Sequence, residues 1–242
     1  MGIYGKQNST KRLTSGRGMP PRVVILSGNK PSPRLPTGPL PVDLPDDVLG
    51  SSVVEAVHQG DHASALQLLN HLIERHPERA AYYSNRGLVN LWCGDPTAAL
   101  RDFNQAIALA PNLDQAYNNR ATCYAAMGCL EDALLDYDYA VELNPFNTRA
   151  RINLGATLRD LGHLDEALTC FDDALLFYQL SEYSYAERGR TYHLRGDWNC
   201  ALADYRRCLD VVAKLELTSS LEQLVERVQG WMHDLMPAGT EA

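Results

Sequence analysis

Glycines stand at positions 60, 94, 128, 162 and 196, each 34 residues after the last. Alanines recur at 65, 99, 133, 167 and 201 with the same period, and a leucine follows each one. The stretch from Gly94, GDPTAALRDFNQAIALAP, is nearly rewritten from Gly128 as GCLEDALLDYDYAVELNP. Such self-similarity without one insertion over 46–215 constrains the fold more than any other feature, because each copy must be one structural unit. The units are 46–79, 80–113, 114–147, 148–181 and 182–215.

Each unit reads as two helices. Ahead of the repeated glycine the apolar residues keep helical spacing, as in Tyr117, Ala121 and Tyr124. The glycine releases the backbone for a tight turn. A second helix then carries the alanine, a large residue (Leu69, Phe103, Tyr137, Phe171, Tyr205) and a second modest one (Leu72, Ala106, Ala140, Ala174, Cys208) on one face. Small residues let helices approach closely while the large one fills the remaining gap. Prolines 77, 111 and 145 close the first three units, whereas Gln179 and Ala213 stand at that place in the last two. A helical hairpin of this kind cannot bury its apolar face alone, so neighbours must stack. The expected fold is all-α, a right-handed superhelical solenoid of antiparallel helix pairs. Residues 216–236, with Leu221, Leu224, Val225, Val228, Trp231 and Leu235 on one face, are expected as a C-terminal capping helix, and 237–242 as a disordered end.

The pattern resembles the tetratricopeptide repeat family. Its small residue at the eighth position of a unit stands here as Gly87, Ala121, Gly155 and Gly189, and its aromatic at the eleventh as Tyr124 and Tyr192. The first unit departs, with Val53 and Ala56 at those places. The resemblance implies a concave groove lined by the first helix of each unit, and a protein or peptide partner. Mapped onto this chain, the groove stripe runs through Ala81, Asn85, Leu88 and Trp92; Gln115, Asn119, Thr122 and Ala126; Arg149, Asn153, Ala156 and Asp160; then Tyr183, Glu187, Arg190 and Leu194. The candidate site is Asn85, Gln115, Asn118, Asn119, Arg149, Asn153, Tyr183 and Arg190. Carboxamides both donate and accept, which suits the backbone of an extended segment. A second reading stays open, in which Asn85, Asn119 and Asn153 tie adjacent units together. Arg149, Arg159 and Arg190 are expected to make the later half of the groove basic, for an extended polar ligand with one acidic side chain. Acids of the second helices, such as Asp136, Asp138 and Glu142, are expected to face outward. The family's two-carboxylate clamp for chaperone C-termini requires paired cations. The matching positions (Gly50, Val54, Asn85, Gln115, Asn119, or Ser84, Leu88, Asn119, Arg149, Asn153) lack them.

Nothing in the sequence suggests catalysis. The seven histidines make no H-E-x-x-H and no ligand spacing with cysteine, and neither a P-loop nor a G-x-S-x-G is present. The pairs Glu131-Asp132 and Asp165-Glu166 open second helices, where they complement the helix dipole. No cofactor or metal is expected. The six cysteines form no C-x-x-C, and free thiols in a reducing cytoplasm are the simplest account. Cys123 and Cys208 read as small core residues, and Trp92, Trp198 and Trp231 as core packing.

The net charge of −8 conceals an asymmetry: residues 1–44 carry +6 and the remainder −14. Eight of the thirteen prolines and six glycines fall within 1–45, so 1–44 reads as a flexible basic segment. Its longest aliphatic run, VVIL at 23–26, is too short for a transmembrane span or a signal-peptide core. The leading functional reading is a non-enzymatic interaction scaffold or assembly factor holding an extended segment in the groove. Two alternatives give the basic segment the work. It could attach the repeats to nucleic acid or an anionic membrane, for which +6 spread over 44 residues is dilute. It could instead dock on the chain's own acidic body or occupy the groove. Oligomeric state is left open.

Overall fold

The computed structural model describes residues 44–235, all of whose regular structure is helical. The basic segment and the extreme C-terminus expected to be disordered lie outside the described residues, apart from Leu44. Eleven helices follow in order: α1 (Asp46–His58), α2 (His62–Arg75), α3 (Ala80–Trp92), α4 (Pro96–Leu109), α5 (Asp114–Ala126), α6 (Leu130–Leu143), α7 (Thr148–Asp160), α8 (Leu164–Leu175), α9 (Ser181–Arg195), α10 (Trp198–Val212) and α11 (Ser219–Leu235). The first ten pair as antiparallel hairpins, and each second helix also packs on the next first helix. The first helices form a row of their own, α3 against α5, α5 against α7, and α7 against α9. The described residues form an all-α, right-handed superhelical solenoid.

Two kinds of glycine build each hairpin, for different reasons. Gly94 has φ +80°, in the left-handed region that side-chain-bearing residues adopt only at a cost. A methyl group there would meet no atom within 4 Å, so conformation and not space requires the glycine. Gly87 is the opposite case, since a Cβ at that point would lie 2.6 Å from Cε1 of Phe103. The helix crossing is close enough that only hydrogen fits.

The core follows the repeat. Ala65, Ala99, Ala133, Ala167 and Ala201 are fully buried, with Leu69, Phe103, Tyr137, Phe171 and Tyr205 packed beneath them. Aspartate side chains start two of the second helices: Asp61 accepts from the Ser64 amide at 3.1 Å and Asp95 from Ala98 at 2.9 Å. Cys123 and Cys208 are buried as expected, and burial pushes their thiols up to about 11 and about 12. At the end of the stack α11 packs on α9 and α10, burying Leu221, Leu224 and Val228. Its Trp231 lies 5.9 Å from the Tyr205 ring.

Two expectations fail. Trp198 is 64% exposed, because it is the first residue of α10 and its ring projects before the helix meets its neighbours. Asp136 does not face outward; it is buried and bound by Arg120, as described below. The α8–α9 connection also departs from its equivalents. With Gln179 where a closing proline would stand, α8 stops at Leu175, and Tyr178 and Leu180 both take φ +54°. That conformation leaves Tyr178 89% exposed and Leu176 70% exposed.

Candidate functional site

Because the first helices run side by side, their N-terminal ends lie along one edge of the solenoid. At that edge the starts of α5 and α7, the α6–α7 turn and the α8–α9 connection enclose a cleft of about 200 Å³. Four predicted site residues meet there: Gln115, Asn118, Asn119 and Arg149. Asn144, Asn147 and Gln179 bring the number of carboxamide side chains in its wall to six. Asp114 also lines it, with Oδ2 already accepting from Asn144 Nδ2 at 3.1 Å and Asn147 Nδ2 at 2.7 Å. Thr148 begins α7 with a 2% exposed side chain, and its hydroxyl has no hydrogen-bond partner. Phe146 stands 70% exposed at the mouth, with the Phe177 ring edge-on to it at 5.4 Å.

The asparagines also join the units. Asn153 Nδ2 donates to Asn118 Oδ1, Asn118 Nδ2 to Asn119 Oδ1, and Asn119 Nδ2 to Ser84 Oγ, each at 3.2 Å. This buried chain crosses from α7 through α5 to α3. Buried amides left unpaired would be costly, so the chain fixes the register of three successive first helices. One acceptor, Asn153 Oδ1, is buried without a partner. Asn85 is buried too, at 4% exposure.

The remaining candidates lie elsewhere. Tyr183 is 8% exposed within the terminal core, and burial raises its hydroxyl pKa. Arg190 stacks 5.4 Å from the Trp231 ring of α11 and its Nη1 is 3.2 Å from His193 Nδ1. Of the three arginines expected to make the later half of the groove basic, Arg159 does not contribute its charge. Arg159 is buried, with Nη1 at 2.5 Å from Glu187 Oε2 and Nη2 at 3.0 Å from Asp160 Oδ1. Its charge is cancelled in place, as an interior cation must be.

Sequence reasoning missed one recurring device. Arg86 grips Asp102 with Nε and Nη2 at 3.0 and 2.6 Å; Arg120 grips Asp136 at 2.7 and 2.7 Å; Arg188 grips Asp204 at 2.6 and 2.8 Å. The third guanidinium nitrogen reaches back one unit, to Asn70 at 2.8 Å, Asn104 at 2.7 Å and Asp172 at 2.5 Å. Bonds to the aspartates raise the pKa of Arg86 and Arg120. The signal was present: arginine and aspartate recur 16 residues apart in three units, and both vanish together in the other two, where Ser52 with Leu68 and Leu154 with Cys170 stand instead.

Family models of the tetratricopeptide repeat match residues 53–114, 115–147 and 148–179. The chain belongs to the tetratricopeptide repeat family. Solved structures share the fold. TTC0263, a thermophilic member from Thermus thermophilus, is 20% identical, with 78% of this chain and 100% of that one covered at a TM-score of 0.67. YrrB, described as having an unusual peptide-binding site, is 21% identical over 74% of this chain and 88% of its own, at 0.54. MamA is 17% identical over 65% and 92%, at 0.56. No curated protein matches the sequence. Among the described residues no helix is long and apolar enough to cross a membrane, and no group of three His, Cys, Asp or Glu side chains is placed to hold a metal ion.

Proposed function

We propose that this protein is a non-enzymatic scaffold or assembly factor that holds an extended segment of a partner protein along its first-helix face, anchored in the cleft at the starts of α5 and α7. The tetratricopeptide fold supports an interaction scaffold in general. The observation that carries the specific reading is the meeting of Gln115, Asn118, Asn119 and Arg149 in one cleft beside an unpartnered Thr148 hydroxyl. Gln115 and Gln179 offer donors and acceptors to a peptide backbone whose own hydrogen bonds are unused, beside four asparagines already bonded within the protein. Recognition of this kind reads the backbone first, and leaves side-chain preference to the mouth of the cleft. Six cysteines without a disulfide support a reducing cytoplasm as the place of action.

Asn118 and Asn119 hold the stack together, so their removal would confound binding with folding. Gln115 and Arg149 are partly exposed. Affinity capture should therefore compare the parent with a Gln115→Ala/Arg149→Ala variant, each checked for helicity and melting. Loss of a specific partner with unchanged melting is the expected result. Retention of every partner would remove the cleft as the binding site.

A further inference from the structure

The cleft has a chemistry beyond a generic backbone site. Its mouth carries an aromatic ring: Phe146 is 70% exposed, and Phe177 is held edge-on to it with the Arg151 guanidinium 5.9 Å over the Phe177 ring. Its wall is built of carboxamides and a buried hydroxyl without a partner. Exposed rings beside amide donors are what a polyproline II segment requires. Such a segment makes no internal hydrogen bonds, so its carbonyls need donors, and its proline rings pack flat on aromatic faces.

The chain carries such a segment itself. Residues 30–41, KPSPRLPTGPLP, contain five prolines. The point where this segment joins the folded body is fixed, since Leu44 carbonyl accepts from Arg75 Nη1 at 2.6 Å. Leu44 stands two residues before α1, whose N-terminus lies on the same edge as those of α5 and α7, because all first helices run parallel. Two or three steps along the row of first helices, at about 10 Å each, put the cleft roughly 20–30 Å away. Residues 30–36 stand 8 to 14 positions before Leu44, a reach of about 25–43 Å in polyproline form at 3.1 Å per residue. Charge agrees as well, since the segment's Lys30 and Arg34 would lie on a body whose net charge is −14.

We propose that residues 30–36 dock in the cleft of their own chain, prolines against Phe146, and must be displaced before a partner segment enters. This rests on the cleft's being the binding site, and makes the protein self-occluded in its free state.

Limited trypsin digestion of the full chain tests it. Trypsin cuts after Arg34 and Arg22, while Lys30 is followed by proline and is spared. Docking protects the bond after Arg34 and leaves the bond after Arg22 accessible. A Phe146→Ser variant, altering one exposed ring, should keep its melting temperature and lose the bond after Arg34 about tenfold faster, as expected for an aromatic contact removed. Pro33→Ala/Pro36→Ala, which leaves the folded body untouched, should do the same when each rate is taken relative to the same bond in the urea-denatured chain. Protection independent of protein concentration supports docking within one chain; protection appearing only at high concentration assigns the cleft to a second copy and overturns the proposal. Equal cleavage after Arg34 in parent and both variants also overturns it. If capture of a partner still depends on Gln115 and Arg149 in that event, the binding site stands and only self-occlusion falls.

Discussion

The clasp between Arg120 and Asp136 offers the sharpest test of what holds the stack, because the chain contains its own control. Asp136→Ala leaves Arg120 Nε and Nη2 without the carboxylate now at 2.7 Å from each, with only Asn104 at 2.7 Å and the rings of Tyr117 and Tyr124 for company. The two side chains are 21% and 11% exposed, so water reaches the stranded cation poorly. Removing one partner of such a buried pair costs about 3 kcal/mol. At roughly 2–4 °C per kcal/mol for a folded unit of this size, melting should fall by about 6–12 °C. The double variant Arg120→Leu/Asp136→Cys installs the pair that the next unit already uses, Leu154 with Cys170. It removes cation and anion together and should lie within about 1 kcal/mol of the parent, since apolar replacement of a buried pair is close to neutral. Urea and thermal unfolding of parent, both single variants and the double closes the cycle, with an expected coupling of about 2 kcal/mol or more. A loss below about 1 kcal/mol for Asp136→Ala would show the pair to be solvent-screened like a surface ion pair. A double variant as unstable as the two singles combined would refute the argument that the two charges act as one unit.

Two further outcomes follow from the packing. Gly87→Ala should destabilise by about 1–2 kcal/mol, the overpacking against buried Phe103 outweighing a helix-propensity gain of about 1 kcal/mol. Adding Phe103→Leu should recover part of the loss in the same melting assay, as the first unit pairs Val53 with Leu69 at the equivalent places. His193 is half-buried beside Arg190, and burial first, then that cation, lowers its pKa below 6.5. Its unfolded-state imidazole therefore takes up a proton at a higher pH than the folded one, so stability is lost as pH falls below 6.5. Melting followed from pH 7 to about 5 should drop less steeply in His193→Gln than in the parent.

The fold was legible because its determinants are local. A turn glycine in the left-handed region, a small residue at a close crossing and a large one beside it recur every 34 residues, and each acts on neighbours within one hairpin. The positions of Gln115 and Arg149 in the first-helix row were legible for the same reason, being a matter of helical period. What joins one unit to the next was not. Asn118 meets Asn153, and Asn119 meets Ser84, 35 residues apart and not 34, because the superhelical offset slides each first helix past its neighbour. The fate of Arg159 depended on Glu187, 28 residues away, and that of Arg190 on a ring from α11. The cleft itself arises from the α6–α7 and α8–α9 connections, the second of which lacks the repeat's closing proline and takes its own path. Periodicity in the sequence determined the brick and the direction of stacking. Only the tertiary structure decided which charges cancel, which amides pair, and where the stack leaves an opening, since those depend on distances between units that no single unit encodes.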